Sequence, residues 1–179
     1  MFLMVALLLL ALAGADPTIP PQLAGCYTVA DAVAARADVD AALDRAVGSI
    51  FFALRPFAKG TLAEHGLADV LLVDVDGDIA AVTVGSRPRL ASRLDRATNV
   101  NASDGPATVT ARVVAGSLVQ TARRKEGVRT VTLTPTLTGV SLRLVLTSPE
   151  LQTPLDYTVA YRRSAQECKP TTSMPKQGQ

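Results

Sequence analysis

The chain has 179 residues, a formal net charge of +2 and 48% hydrophobic residues. That is one domain's length, enough to bury a core without help from metals. The charge is too small to mark nucleic acid or an acidic membrane surface as a partner, and the absence of Trp argues against ring-stacking platforms for sugars or bases.

In chain order the first element is an address. Phe2 to Ala13 is almost unbroken apolar sequence, ending in the small-x-small site Ala13-Gly14-Ala15, with Asp16-Pro17 directly after it. This is the layout of a secretory signal peptide over residues 1–15, cleaved after Ala15, although no Lys or Arg precedes the run. It falls short of the ~20 apolar residues of a membrane span. Residues 16–25 are Pro-rich and aperiodic and read as an extended leader. Residues 26–168 read as a single domain, and 169–179 as a disordered tail.

Cys26 and Cys168 are the only cysteines. In the oxidising compartment that the signal implies, such a pair forms a disulfide, worth ~4–5 kcal/mol in the chain-entropy model for so long a loop. A redox pair or thiolate metal site has little support, since there is no C-x-x-C and His65 is the sole histidine. Leu23-Ala24-Gly25-Cys26 resembles the lipobox of bacterial lipoproteins, which would imply a lipid on Cys26. In that family the box directly follows the apolar stretch, whereas here Asp16, Pro17, Pro20 and Pro21 intervene.

A helix is expected from Asp38, a good N-cap. Val39, Ala42, Leu43, Ala46, Val47, Ile50, Phe51 and Leu54 follow helical spacing and form one apolar stripe. Pro56 should kink or restart the helix, with a second short helical piece through Leu62 to His65 and a stop at Gly66.

After Gly66 the period falls to two. Val70–Val75 and Ile79–Val84 flank Asp76-Gly77, a favoured hairpin turn. Ser86–Gly105 is ambiguous, a loop or one further edge strand. Ala107–Val113, Ser117–Arg124, Val128–Thr134, Val140–Thr147 and Leu155–Tyr161 then alternate, with turn residues between them. The expected fold class is α+β: an N-terminal amphipathic helix, then a seven- to eight-strand antiparallel meander, as a lipocalin-like barrel or a strongly curved sheet.

Chemical signatures are scarce. Asp74-Val-Asp76-Gly77-Asp78 has the start of an EF-hand loop, but the twelfth position, which needs a bidentate Glu, is Gly85. His65 near a helix end reads as a capping residue rather than a metal ligand. No nucleophile motif, phosphate loop or dinucleotide fingerprint occurs, so no catalytic residue, metal or cofactor is assigned. Arg87, Arg89, Arg93 and Arg96 form the one basic cluster of note, read either as an anion-recognising loop at a pocket mouth or as a solvated loop balanced by Asp95 and Asp104. Asn101-Ala102-Ser103 matches a glycosylation sequon.

Gly116-Ser-Leu-Val-Gln-Thr121, then Glu126-Gly127-Val128-Arg129 and a Thr/Val-rich strand, resembles the closing strands of fatty-acid-binding proteins and related lipocalin-like barrels. The match covers about a tenth of the chain. It implies an antiparallel barrel that binds a small lipid-like ligand. That family places its helices between its first two strands, while this sequence reads as a helix preceding every strand. The family's Arg-x-Tyr carboxylate clamp has no counterpart beyond Tyr161-Arg162.

The leading expectation is therefore an exported, secreted or periplasmic binding module for a small hydrophobic or amphiphilic ligand, not an enzyme. Leu142, Leu144, Tyr157, Val159 and Tyr161 would wall its pocket, with Arg87, Arg89 and Arg93 at the mouth. The alternative is a structural or protein-interaction domain of the cell envelope, its core filled by the helix. An unrecognised hydrolase would need converging carboxylates, or His65 beside a nucleophile.

Overall fold

The computed structural model describes residues 18–102 and 105–165. The signal segment, Cys168 and the tail lie outside them. The elements are β1 (Gly25–Val29), α1 (Ala32–Val47), α2 (Arg55–Ala63), β2 (Val70–Asp76), β3 (Ile79–Val84), β4 (Leu90–Arg93), β5 (Thr98–Ala102), β6 (Gly105–Val114), β7 (Ser117–Arg123), β8 (Val128–Pro135), β9 (Gly139–Thr147) and β10 (Leu155–Arg163).

The class is α+β, with all ten strands in one antiparallel sheet of order β4-β3-β2-β1-β10-β9-β8-β7-β6-β5. The chain-terminal strands β1 and β10 pair with each other, so the meander curls into a nearly closed, lipocalin-like barrel. Its seam lies at β4 and β5. There the chain leaving β4 reaches past β5, and Asp95 donates its backbone N–H to the Ala111 carbonyl of β6 at 2.8 Å. Asp95 takes a positive φ of 54° to do so, a conformation Asp tolerates better than most residues.

Three expectations change. First, a strand precedes the helix. Gly25-Cys-Tyr-Thr-Val29 lacks clean alternation, yet it is ordered between β2 and β10 by backbone pairing on both sides. The helices thus lie between the first two strands. Second, α1 starts at Ala32, because Asp31 rather than Asp38 caps it, accepting from the backbone N–H groups of Val33 and Ala34 at 3.1 and 3.0 Å. Its stripe is Ala35, Val39, Ala42, Leu43, Ala46 and Val47, all buried. The helix ends at Gly48, so Phe51 and Leu54 fall outside that stripe and stand in solvent. Third, the ambiguous segment supplies two strands, β4 and β5.

The leader is no loose extension either. Pro21–Leu23 makes a 3-10 turn whose Leu23 is fully buried beside Ile19. Tyr27 donates its hydroxyl to the Gln22 and Leu23 carbonyls, both at 2.9 Å. Arg163 adds bonds to the Gln22 and Ala24 carbonyls at 2.7 and 2.9 Å and lies 5.4 Å from the Tyr27 ring.

Alternation decides what fills the barrel. Val140, Leu142 and Leu144 of β9 and Leu155, Tyr157, Val159 and Tyr161 of β10 point inward and form one cluster with the α1 stripe. Each is at most 6% exposed. Gly139 is required where β9 meets β10, since a Cβ there would collide with the Tyr161 carbonyl. The β2–β3 turn is Gly77-Asp78, one residue beyond the expected Asp76-Gly77, because Asp76 still pairs with Ile79 as the last residue of β2; Gly77 takes a φ of 58°.

Candidate functional site

The five residues expected to wall a pocket converge on the main buried cluster inside the barrel. Leu142, Leu144 and Val159 belong to the same buried cluster as the stripe of α1. Tyr157 and Tyr161 brace the chain leaving α2. Tyr157 donates its hydroxyl to the His65 carbonyl at 2.6 Å and lies 3.1 Å from that of Gly66, while Tyr161 donates to Ala68 at 2.7 Å. Burial pushes both phenols above their ordinary acidity range, with the Arg87 charge opposing it. These bonds hold the segment that follows α2 against β10.

The basic loop divides. Arg89 and Arg93 point outward and pair with Asp74 at 3.2 Å and Asp78 at 3.4 Å, with all four side chains about half exposed. Both belong to the outer surface, because inward positions of β4 fall to Leu90 and Ser92. Arg87 turns the other way. Its Nε donates to the Glu64 carbonyl at 3.0 Å and its Nη2 to the Gly66 carbonyl at 2.6 Å, while Nη1 is buried with no hydrogen-bond partner. Arg87 thus satisfies backbone carbonyls just beyond the end of α2, groups a helix terminus leaves open.

Arg87 also lines a pocket of about 340 Å³ together with Glu64, His65, Ser86, Pro88, Leu90, Arg124 and Arg129. Three segments meet there: the residues that follow α2, the β3–β4 connection, and the β7–β8 hairpin. The floor is Leu90, and the walls are mostly charged. Three guanidinium groups and one carboxylate line it. No carboxylate forms an ion pair with Arg87 among the described residues; the acceptors of its hydrogen bonds are neutral carbonyls.

Behind Leu90 lies a buried polar contact. Gln120 of β7 donates its side-chain amide to the Leu90 carbonyl at 3.0 Å and to the Ser92 hydroxyl at 3.1 Å. These bonds hold edge strand β4 to the far wall, above a small cluster of Leu90, Ala107, Val109 and Ala122.

His65 and Ser86 share the pocket, the juxtaposition a hydrolase would need. Ser86 makes no hydrogen bond to any other described residue, so the base-to-nucleophile contact of acyl transfer is not formed. Sequence reasoning missed Arg124 and Arg129. The signal was their position: both flank the Glu126-Gly127 turn and therefore sit at one barrel mouth.

No protein-family model matches the sequence, and no curated protein matches it. Solved structures do share the fold. A luciferase domain from the dinoflagellate Lingulodinium polyedrum aligns with 82% of this chain at 11% identity and a TM-score of 0.51, with the alignment spanning 43% of that chain. Fatty-acid-binding protein 1 from Echinococcus granulosus aligns with 80% of this chain and 98% of its own length, at 14% identity and a TM-score of 0.49. Human cRBP IV aligns with 81% of this chain and all of its own, at 15% identity and 0.46. At such identities the likeness is one of fold alone.

Proposed function

We propose that the protein is an exported binding module for a small amphiphilic ligand, seated in the pocket at the barrel mouth rather than inside the barrel. The observation that carries this reading is the pocket of about 340 Å³, with apolar Leu90 below and Arg87, Arg124 and Arg129 around it. An apolar floor under a few convergent polar groups is the usual construction of a small-molecule site. Export rests on the apolar run before Asp16. The register supports a Cys26–Cys168 disulfide, since the Ser164 backbone N–H donates to the Cys26 carbonyl at 2.8 Å and Cys168 follows four residues on.

Native mass spectrometry of the mature protein from its own organism is expected to find a co-purifying small molecule, a mass lacking residues 1–15, and one disulfide. A chain that purifies empty and binds no member of a panel of charged and neutral short-chain amphiphiles would overturn the binding reading.

A protein-interaction role is favoured by a different observation. Phe51, Phe52, Leu54 and Phe57, at the turn from α1 into α2, are 57–79% exposed, an apolar concentration unusual on a monomer's surface.

A further inference from the structure

We infer that the pocket selects a compact oxyanion, a carboxylate or phosphate monoester on a short carbon chain, and rejects both neutral analogues and long-chain lipids. The inference deepens the binding reading above and rests on it.

Charge comes first. Arg87, Arg124 and Arg129 line the pocket against the single carboxylate of Glu64. Arg87 is the anchor. Its guanidinium is held by two backbone carbonyls, which fix its position without neutralising it. A guanidinium fixed beside a cavity and lacking a carboxylate partner is a preorganised anion receptor, because binding orders little that is not already ordered. Its planar fork matches carboxylate and phosphate oxygens alike. Ser86, on the same wall, adds a hydroxyl donor.

Size comes second. A long acyl chain would need a channel through the barrel interior. Leu142, Leu144, Tyr157, Val159 and Tyr161 project into that space and cluster there with the stripe of α1, and the bonds from Gln120 to Leu90 and Ser92 hold β4 across the route behind Leu90. The carbon chain must end at the pocket floor.

The test is isothermal titration of the full mature chain with hexanoate, hexyl phosphate, hexan-1-ol, hexylamine and hexadecanoate, plus inorganic phosphate alone. Hexanoate or hexyl phosphate is expected to bind at least about tenfold more tightly than the alcohol and the amine, and affinity should fall as salt screens the charges. Whichever of the two acids binds better identifies the headgroup, and competition by inorganic phosphate marks the phosphate case. Hexadecanoate is expected to bind no more tightly than hexanoate. Arg87→Gln and Arg129→Gln are each expected to lower acid affinity about tenfold or more. Arg129→Gln keeps the test decisive if loss of the Arg87 bonds beyond α2 unfolds the protein.

Hexanol binding as well as hexanoate would overturn the anion inference and leave the binding module standing. Tight hexadecanoate binding would overturn the size limit. Failure of every probe, neutral ones included, would remove both readings together.

Discussion

Along β8, β9 and β10 the buried inward positions are Val, Leu or Tyr, and α1 lies in the same cluster; along β4, β6 and β7 they include Ser92, Ala107, Ala111, Ala122 and Gln120. The first wall is thick with large side chains. The second is thin and closes partly on polar contacts. The pocket opens where the two meet, at the mouth between the end of α2 and the β7–β8 hairpin. One sheet therefore serves two ends: strands packed by a helix give rigidity, and strands packed on small residues leave room for polar chemistry.

The sharpest break of that comparison is Leu144→Ala. Leu144 is fully buried in the main cluster, so truncation should cost about 2–5 kcal/mol as lost burial plus cavity. Thermal or urea unfolding reads it directly. A cost well under 1 kcal/mol would mean that the thick wall can collapse around a void and is no more rigid than the thin one.

Gln120→Ala should cost less, about 1–3 kcal/mol, as the Leu90 carbonyl and Ser92 hydroxyl lose their donor in a buried site. Its signature is local. Amide exchange should accelerate in β4 while β9 and β10 stay protected, since edge strands open below the global free energy. Uniform acceleration across the sheet would show that both walls unfold as one unit.

The thick wall was the more legible in the sequence, for a physical reason. Val140, Leu142, Leu144 and Leu146 alternate with polar residues because one face meets a core and the other water, and that period survives without coordinates. β1 was hidden because its neighbours on both sides supply its order; Gly25-Cys26 has no alternation of its own. The start of α1 was misplaced because Asp31 and Asp38 are equally good caps by type. Arg87 could be singled out as part of a basic loop, but its neighbours in the pocket could not, since they arrive from segments far apart in the chain. Only closure of the barrel brings Arg124 and Arg129 toward Arg87.

Alkali gives a third contrast, smaller near neutrality and growing with pH. Tyr157 and Tyr161 lie on the thick wall and Tyr27 on the neighbouring β1, and burial raises the pKa of all three above the ordinary value of 10.0. The folded state therefore keeps phenolic protons that the unfolded chain gives up. Stability is fully present below pH 10 and falls as pH rises beyond it. With no Trp in the chain, tyrosinate absorbance reports this cleanly, and its appearance should coincide with unfolding. Tyr161→Phe should flatten that alkaline slope while costing about 0.5–1.5 kcal/mol at neutral pH for the lost bond to the Ala68 carbonyl. Phenols titrating near 10 in a still-folded protein would show the thick wall to be wet.

The smallest effect is expected at the aromatic turn, which belongs to neither wall. Phe52 and Phe57 are 71% and 79% exposed, so the folded state hides little of either ring that the unfolded chain would expose. Phe52→Ser combined with Phe57→Ser should shift stability by no more than about 0.5 kcal/mol for each substitution, the ordinary range for surface changes. The turn's backbone does not depend on the rings: Arg55 donates to the Gly48 and Ile50 carbonyls at 2.7 and 2.9 Å and closes the loop by itself. Ligand affinity at the Arg87 pocket should be unchanged, because neither phenylalanine lines it. Urea unfolding and titration on the same double variant check both statements. A large loss of stability would mean that the rings are covered by another part of the fold, and weakened ligand binding would join the turn to the pocket as one site.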